Sequence, residues 1–158
     1  MTTFIGENTC KVDTKGRILF PMSFIKQLSQ ECNGRFVIKK DIYERCLVLF
    51  PMDEWDRQNI YIKNNINPYD REQAMFLREY FKGAAEVVLD SANRLLIPTR
   101  LKELVDIDKE IVLAGQFGKI EIWSPKIYGT TNMEPDEFAK LAAKYLGGTI
   151  NRKDGEVS

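Results

Sequence analysis

Histidine is absent from the 158 residues. Its absence excludes the Ser-His-Asp and Cys-His catalytic arrangements and every His-ligated metal site. Cysteine is scarce. Cys10, Cys32 and Cys46 are an odd number without CxxC spacing, which predicts reduced thiols rather than a disulfide frame. A zinc site built on cysteine alone lacks its fourth ligand. No run approaches the roughly 18 apolar residues of a spanning helix, and the leading MTTFIGENTCKVD holds no apolar run of signal-peptide length. A cytoplasmic protein without membrane contact is expected. Net charge is missing too, since 23 Lys+Arg balance 23 Asp+Glu. That argues against a wholly basic nucleic-acid protein and leaves room for a local basic patch.

What is present is an ordinary globular composition, 44% hydrophobic and 29% charged, in a chain long enough to bury a core without staples. The informative feature is an internal repeat. At a shift of 77, Phe4 falls on Phe81, Gly6 on Gly83, Asp13 on Asp90, Arg17 on Arg94 and Pro21 on Pro98. Ile18-Leu19-Phe20 falls on Leu95-Leu96-Ile97. With four residues dropped from the second copy, Val48-Leu49-Phe50 falls on Glu121-Ile122-Trp123. Five identities and an apolar block in order read as two copies of one unit.

Each unit reads as hairpin, short helix, hairpin. A strand runs into Val12 or Leu89, turns, and continues as 17–20 or 94–97. The turn Asp13-Thr14-Lys15-Gly16-Arg17 has glycine where such a hairpin demands a left-handed residue. Asp90-Ser91-Ala92-Asn93-Arg94 has Asn93 there, the next residue to tolerate that conformation. Pro21 and Pro98 open the short helices, the second carrying Arg100 and Lys102. The second hairpins are 36–38 with 47–50, and 111–113 with 120–123. Asp53 is expected to cap a helix over 54–65, and Asn67-Pro68 to start the next. A last helix begins near Pro135, with acids in its first turn and lysines later, and Gly147-Gly148 stops it. The expected organisation is a first repeat over 1–55, connecting helices over 56–80, a second repeat over 81–128, a C-terminal helix over 129–148 and a disordered tail over 149–158.

The two D-x-x-x-R hairpins, together with Leu113-Ala114-Gly115-Gln116-Phe117-Gly118-Lys119-Ile120-Glu121-Ile122-Trp123, closely resemble the MraZ family, bacterial members of the AbrB/SpoVT-like swapped-hairpin DNA-binding proteins. The resemblance covers about residues 1–146. It implies an α+β fold, in which two tandem swapped-hairpin β-α-β units form a small shared β-barrel with peripheral helices. It implies a transcriptional regulator, a repressor, of the division and cell-wall gene cluster. Such a regulator binds double-stranded DNA at promoter direct repeats as a ring-shaped homo-oligomer, octameric or dodecameric, and is nucleoid-associated. The motif residues carry over to Asp13 and Arg17 and to Asp90 and Arg94. The second turn, DSANR, departs from the pattern by lacking the usual glycines.

Residues 11–26 hold Lys11, Lys15, Arg17 and Lys26 against the single acid Asp13. One reading is a hairpin tip whose cations meet phosphates and base edges, with Arg17 leading, Lys15 and Lys11 supporting, and Asp13 and Gly16 shaping the tip. The other is an Asp13–Arg17 pair that only shapes a solvated turn. Arg94, with Asp90 and Asn93, has no other cation in its turn and is expected to make a weaker contact or to serve an interface. The aromatics Trp55, Tyr69, Phe76, Tyr80, Phe81, Trp123 and Tyr128 read as core or interface rather than as a stacking platform. Two alternatives stand beside the regulator: an oligomeric scaffold that binds no DNA, and a hydrolase with an Asp13/Asp90 pair. No P-loop, GxGxxG or G-x-S-x-G is found, so no enzyme and no cofactor is expected.

Overall fold

In each repeat the first hairpin does not stay with its own second hairpin. A computed structural model describes residues 2–147, and the expected tail over 149–158 and the stop at Gly148 lie outside them. Two units are distinguished, one ending at Ile127 and one beginning at Tyr128. In the first unit, β1 (Glu7–Lys11) pairs antiparallel with β7 (Glu110–Gln116) of the other repeat, from Glu7 opposite Ala114 to Lys11 opposite Glu110. Reciprocally, β5 (Ala85–Val88) pairs with β3 (Arg35–Lys40), with Arg35 opposite Val88. The second hairpins, β3 with β4 (Leu47–Pro51) and β7 with β8 (Lys119–Trp123), meet where β4 pairs with β8. Val48 there lies opposite Glu121, its own equivalent after the four-residue offset. The six-stranded order is β1-β7-β8-β4-β3-β5.

The remaining strands form a separate ribbon. β2 (Arg17–Leu19) pairs antiparallel with β6 (Arg94–Leu96), and Ile18 lies opposite Leu95. These two are equivalents at the 77-residue shift, so a local two-fold relation passes through that pair. The expected closed barrel is therefore corrected. The large sheet keeps two ends, β1 and β5, because the strands that follow them bond to each other instead of to the sheet. The α+β class and the swap stand.

Alternation decides which side chains fill the core. Phe36 and Ile38 of β3 face a main cluster with Phe4, Ile18, Phe20, Phe24, Leu95, Ile97 and Leu101, all at most 2% exposed. Each such side chain contributes about 1.5–3 kcal/mol on burial. Phe24 comes from α1 (Met22–Ile25) and Leu101 from α4 (Thr99–Leu104). Pro21 and Pro98 stand one residue before these helices, as caps with extended backbone. On the opposite face Val37, Val48 and Phe50 pack under Trp55 of α2 (Met52–Asn65) and Tyr80 of α3 (Arg71–Phe81). The Trp55 and Tyr80 rings stack at 5.9 Å.

Two expected helix starts are displaced. Asp53 lies inside the first turn of α2 and accepts a hydrogen bond from the Ser29 hydroxyl, so it is not the cap. Helix α3 starts after Asp70, whose carboxylate accepts the Gln73 N–H. Asn67 instead accepts the Tyr69 N–H with its own side chain, closing a local turn before the helix. After the short α5 (Pro125–Tyr128), α6 (Pro135–Ala142) has Pro135 in its first turn with Asp136 and Glu137, and a π-helical turn, Ala143–Gly147, extends it.

Candidate nucleic-acid interface

The first D-x-x-x-R turn is organised by one carboxylate. Asp13 Oδ1 accepts the backbone N–H groups of Lys15 and Arg17 at 2.9 and 2.8 Å. Its Oδ2 accepts the Arg17 Nε–H at 2.9 Å. The turn also needs Gly16, at φ 85°, a conformation that costs little without a Cβ. The second turn repeats this with different letters. Asp90 Oδ1 accepts the N–H groups of Ala92 and Arg94, both at 2.9 Å, and Oδ2 accepts Arg94 Nε–H at 2.9 Å. Asn93 takes φ 60°, as its place predicts.

These bonds set the electrostatics. The Arg17 N–H bond, joined by its guanidinium and the Lys15 N–H, holds the Asp13 carboxyl below its ordinary pKa against the opposing cost of desolvation. Asp90 is lowered the same way, first by the Arg94 N–H. A proton-sharing dyad requires one carboxyl raised. Here both are lowered and each is engaged within its own turn, so the Asp13/Asp90 hydrolase alternative has no geometric support.

Each arginine is thus anchored through Nε alone. Among the described residues neither guanidinium has a protein partner on its terminal nitrogens. The ribbon then brings the two together. Arg17 lies opposite Leu96 and Leu19 opposite Arg94, so the arginines are diagonal neighbours on one face, with Cα atoms roughly 7–8 Å apart by ladder geometry. Ile18 and Leu95 take the other face and are buried, whereas Leu19 and Leu96 are exposed. Lys11 ends β1 and is exposed, and Lys15 is an exposed residue of the first turn.

Lys102 is a member that sequence reasoning placed on the short helix without a role. A Cβ on Gly16 would stand 3.0 Å from Lys102 Nζ, so α4 of the second repeat delivers a cation to the first turn. The residue equivalent to Lys102 in the first repeat is Ile25, so the second turn has no matching charge. The signal was available only through the β2–β6 pairing, which sets α4 beside Gly16.

Gly115 has another reason to be glycine. A Cβ there would lie 2.5 Å from the Phe4 carbonyl oxygen, and the Gly115 N–H donates to Gly6 O at 3.0 Å. The Gly115–Gly118 stretch is thus hairpin and strand contact, between the expected strands 111–113 and 120–123. Cys10, Cys32 and Cys46 are free thiols. No helix among the described residues is long and apolar enough to cross a membrane.

The chain matches the family described as "MraZ protein, putative antitoxin-like" twice in tandem, over residues 3–79 and 80–145. It is similar to the transcriptional regulator MraZ of Christiangramia forsetii, 38% identical over 93% of this chain and 95% of the relative. It is similar to that of Cytophaga hutchinsonii, 38% identical over 94% and 98%, and to that of Pseudomonas putida, 35% identical over 76% and 79%. Two tandem matches that together span both hairpins, and relatives at 35–38% identity aligned over at least three quarters of their length, establish that this chain belongs to the MraZ family.

Proposed function

We propose that the protein is a sequence-specific DNA-binding transcriptional regulator, a repressor of the bacterial division and cell-wall gene cluster. In this reading it acts in the cytoplasm at the nucleoid. The chain's two repeats, 1–55 and 81–128, each contribute one D-x-x-x-R hairpin to the reading head. The observation that carries the proposal is the pair of clamped arginines on the exposed face of the β2–β6 ribbon. A carboxylate that holds Nε fixes the plane of a guanidinium while leaving its terminal N–H groups available. An arginine so oriented suits bidentate contact with guanine or phosphate. Asp13 therefore both shapes the turn and aims Arg17, and the two readings of that pair coexist. Lys15, Lys11 and Lys102 add phosphate contacts around the first turn.

The two hairpins are unequal, since the first turn has Lys15 and Lys102 beside it and the second has neither. Unequal repeats give each chain a head and a tail, and heterologous contacts between copies form rings when the rotation between them closes. Ring subunits present their hairpins in one rotational sense, which suits tandem direct repeats.

Footprinting on the DNA upstream of the protein's own gene, with variants, tests this. Arg17→Ala is expected to abolish specific protection while the protein stays folded. Each base contact is worth about 1–3 kcal/mol, and the loss multiplies over the copies on one site. Lys15→Ala and Lys102→Ala should weaken binding to all sequences and reduce the slope of log K against log salt by roughly 0.9 per contact. Arg94→Ala should be milder. A folded Arg17→Ala variant that protects the operator normally would remove the hairpin as the reading head.

A further inference from the structure

Away from both D-x-x-x-R turns, a cleft of about 540 Å³ opens between the β3–β4 hairpin, α3 and α4. That volume suits a small molecule. Its apolar wall is made by Phe76, Tyr80, Leu101 and Leu104. Its charged lining is biased: Lys39, Lys40, Lys82 and Arg100 stand against Asp41 and Glu79.

The acids are already in use. Glu79 pairs with Lys82 at 2.6 Å. Asp41 accepts the backbone N–H groups of Tyr43 and Glu44 at 3.0 and 2.8 Å. Among the described residues the other cations have only neutral partners within bonding distance. Arg100 donates to the Gly83 carbonyl at 3.0 Å, and Lys40 to the carbonyls of Asp41 and Glu44. Lys39 is the unusual one. It is 4% exposed, donates to the Tyr80 carbonyl at 2.5 Å, and lies 3.5 Å from the centroid of the Tyr80 ring. A buried ammonium without a carboxylate is costly and rarely kept without a counter-charge. The Tyr80 hydroxyl is also buried and has no hydrogen-bond partner among the described residues.

We propose that this cleft binds a small anionic ligand with an apolar body. Lys39 and Arg100 receive its acid group, and Phe76 and Leu104 receive its body. The site is independent of the DNA-reading proposal and stands or falls without it.

The test uses the full chain and two fluorescent probes of similar shape: anilinonaphthalene sulfonate, which is anionic, and N-phenylnaphthylamine, which is neutral. The sulfonate is expected to bind saturably at about one per chain and at least tenfold more tightly than the neutral probe. Arg100→Gln and Lys39→Met should each weaken it at least fivefold, while Ile60→Ser, at an exposed position of α2 outside the cleft lining, leaves it unchanged. Near-UV circular dichroism checks that each variant keeps its packing. If Lys39→Met does not fold, the exposed Arg100→Gln decides. Equal affinity for the neutral probe, indifference to Arg100→Gln, or loss with Ile60→Ser would overturn the proposal. So would sulfonate binding that appears only when the protein is diluted into single chains, because a second copy would then be the cleft's occupant.

Discussion

Lys39 shows how one residue can carry a pH dependence for the whole fold. Burial lowers its pKa from the ordinary lysine value to about 8, with the Asp41 carboxylate pulling the other way. Because the folded-state pKa lies below the unfolded one, the unfolded chain binds the extra proton between about pH 8 and the ordinary value of 10.5. Stability therefore rises with pH through that window on this residue's account, and the cost of the buried charge is fully present below it. The prediction is a trend. Melted side by side, Lys39→Met should gain on the wild type most at pH 7, and that difference should shrink steadily toward pH 10. A difference independent of pH would mean that Lys39 reaches water in the folded state. The carboxylates of Asp13 and Asp90 behave oppositely. Their lowered values give a contribution present at neutral pH and lost only as the pH falls through the carboxylate range.

The element that matters most is the D-x-x-x-R turn. Its two copies reach one backbone geometry with different residues, φ 85° at Gly16 and φ 60° at Asn93. Gly16→Val should cost about 1–3 kcal/mol of stability, the strain of a β-branched residue at positive φ. Gly16→Asn should be mild, because the new side chain meets mainly the flexible end of Lys102 and Asn93 already demonstrates the conformation. Thermal melting of both variants checks this, and equal midpoints would refute the role assigned to the turn. Near the end of β7, Gly115→Ala should also destabilise, for a different reason. Its Cβ would strike the backbone of Phe4, and one strand must move to relieve it, at about 1–3 kcal/mol.

For the whole molecule, neutrality is the governing constraint. A chain with as many acids as bases has little general attraction for DNA, so binding must be concentrated at a few cations and multiplied by copies. Multi-angle light scattering is expected to give a mass of several chains at micromolar concentration. A stable monomer there would remove the ring and, with it, the argument for direct repeats. The exposed side chains of Ile60, Tyr61 and Phe117 are the kind of surface such an assembly would cover.

Local chemistry determines much of this protein. The repeat, the paired Asp and Arg, and the left-handed places at Gly16 and Asn93 follow from spacing and from which residues tolerate positive φ. So do the short helices after Pro21 and Pro98 and the two second hairpins. Helix starts were less legible, because Asp53 and Asn67 are good caps in isolation and the choice fell to partners elsewhere: Ser29 for Asp53, and Asp70 with Gln73 in place of Asn67. What only the tertiary structure decided is strand partnership. Nothing in the letters of β2 states that it pairs with β6 rather than closing a barrel, since three residues with one buried position satisfy either arrangement. That one pairing sets Arg17 diagonal to Arg94 and carries Lys102 to the first turn. It could not be read along the chain, because it joins residues some 77 positions apart through contacts that no local propensity encodes.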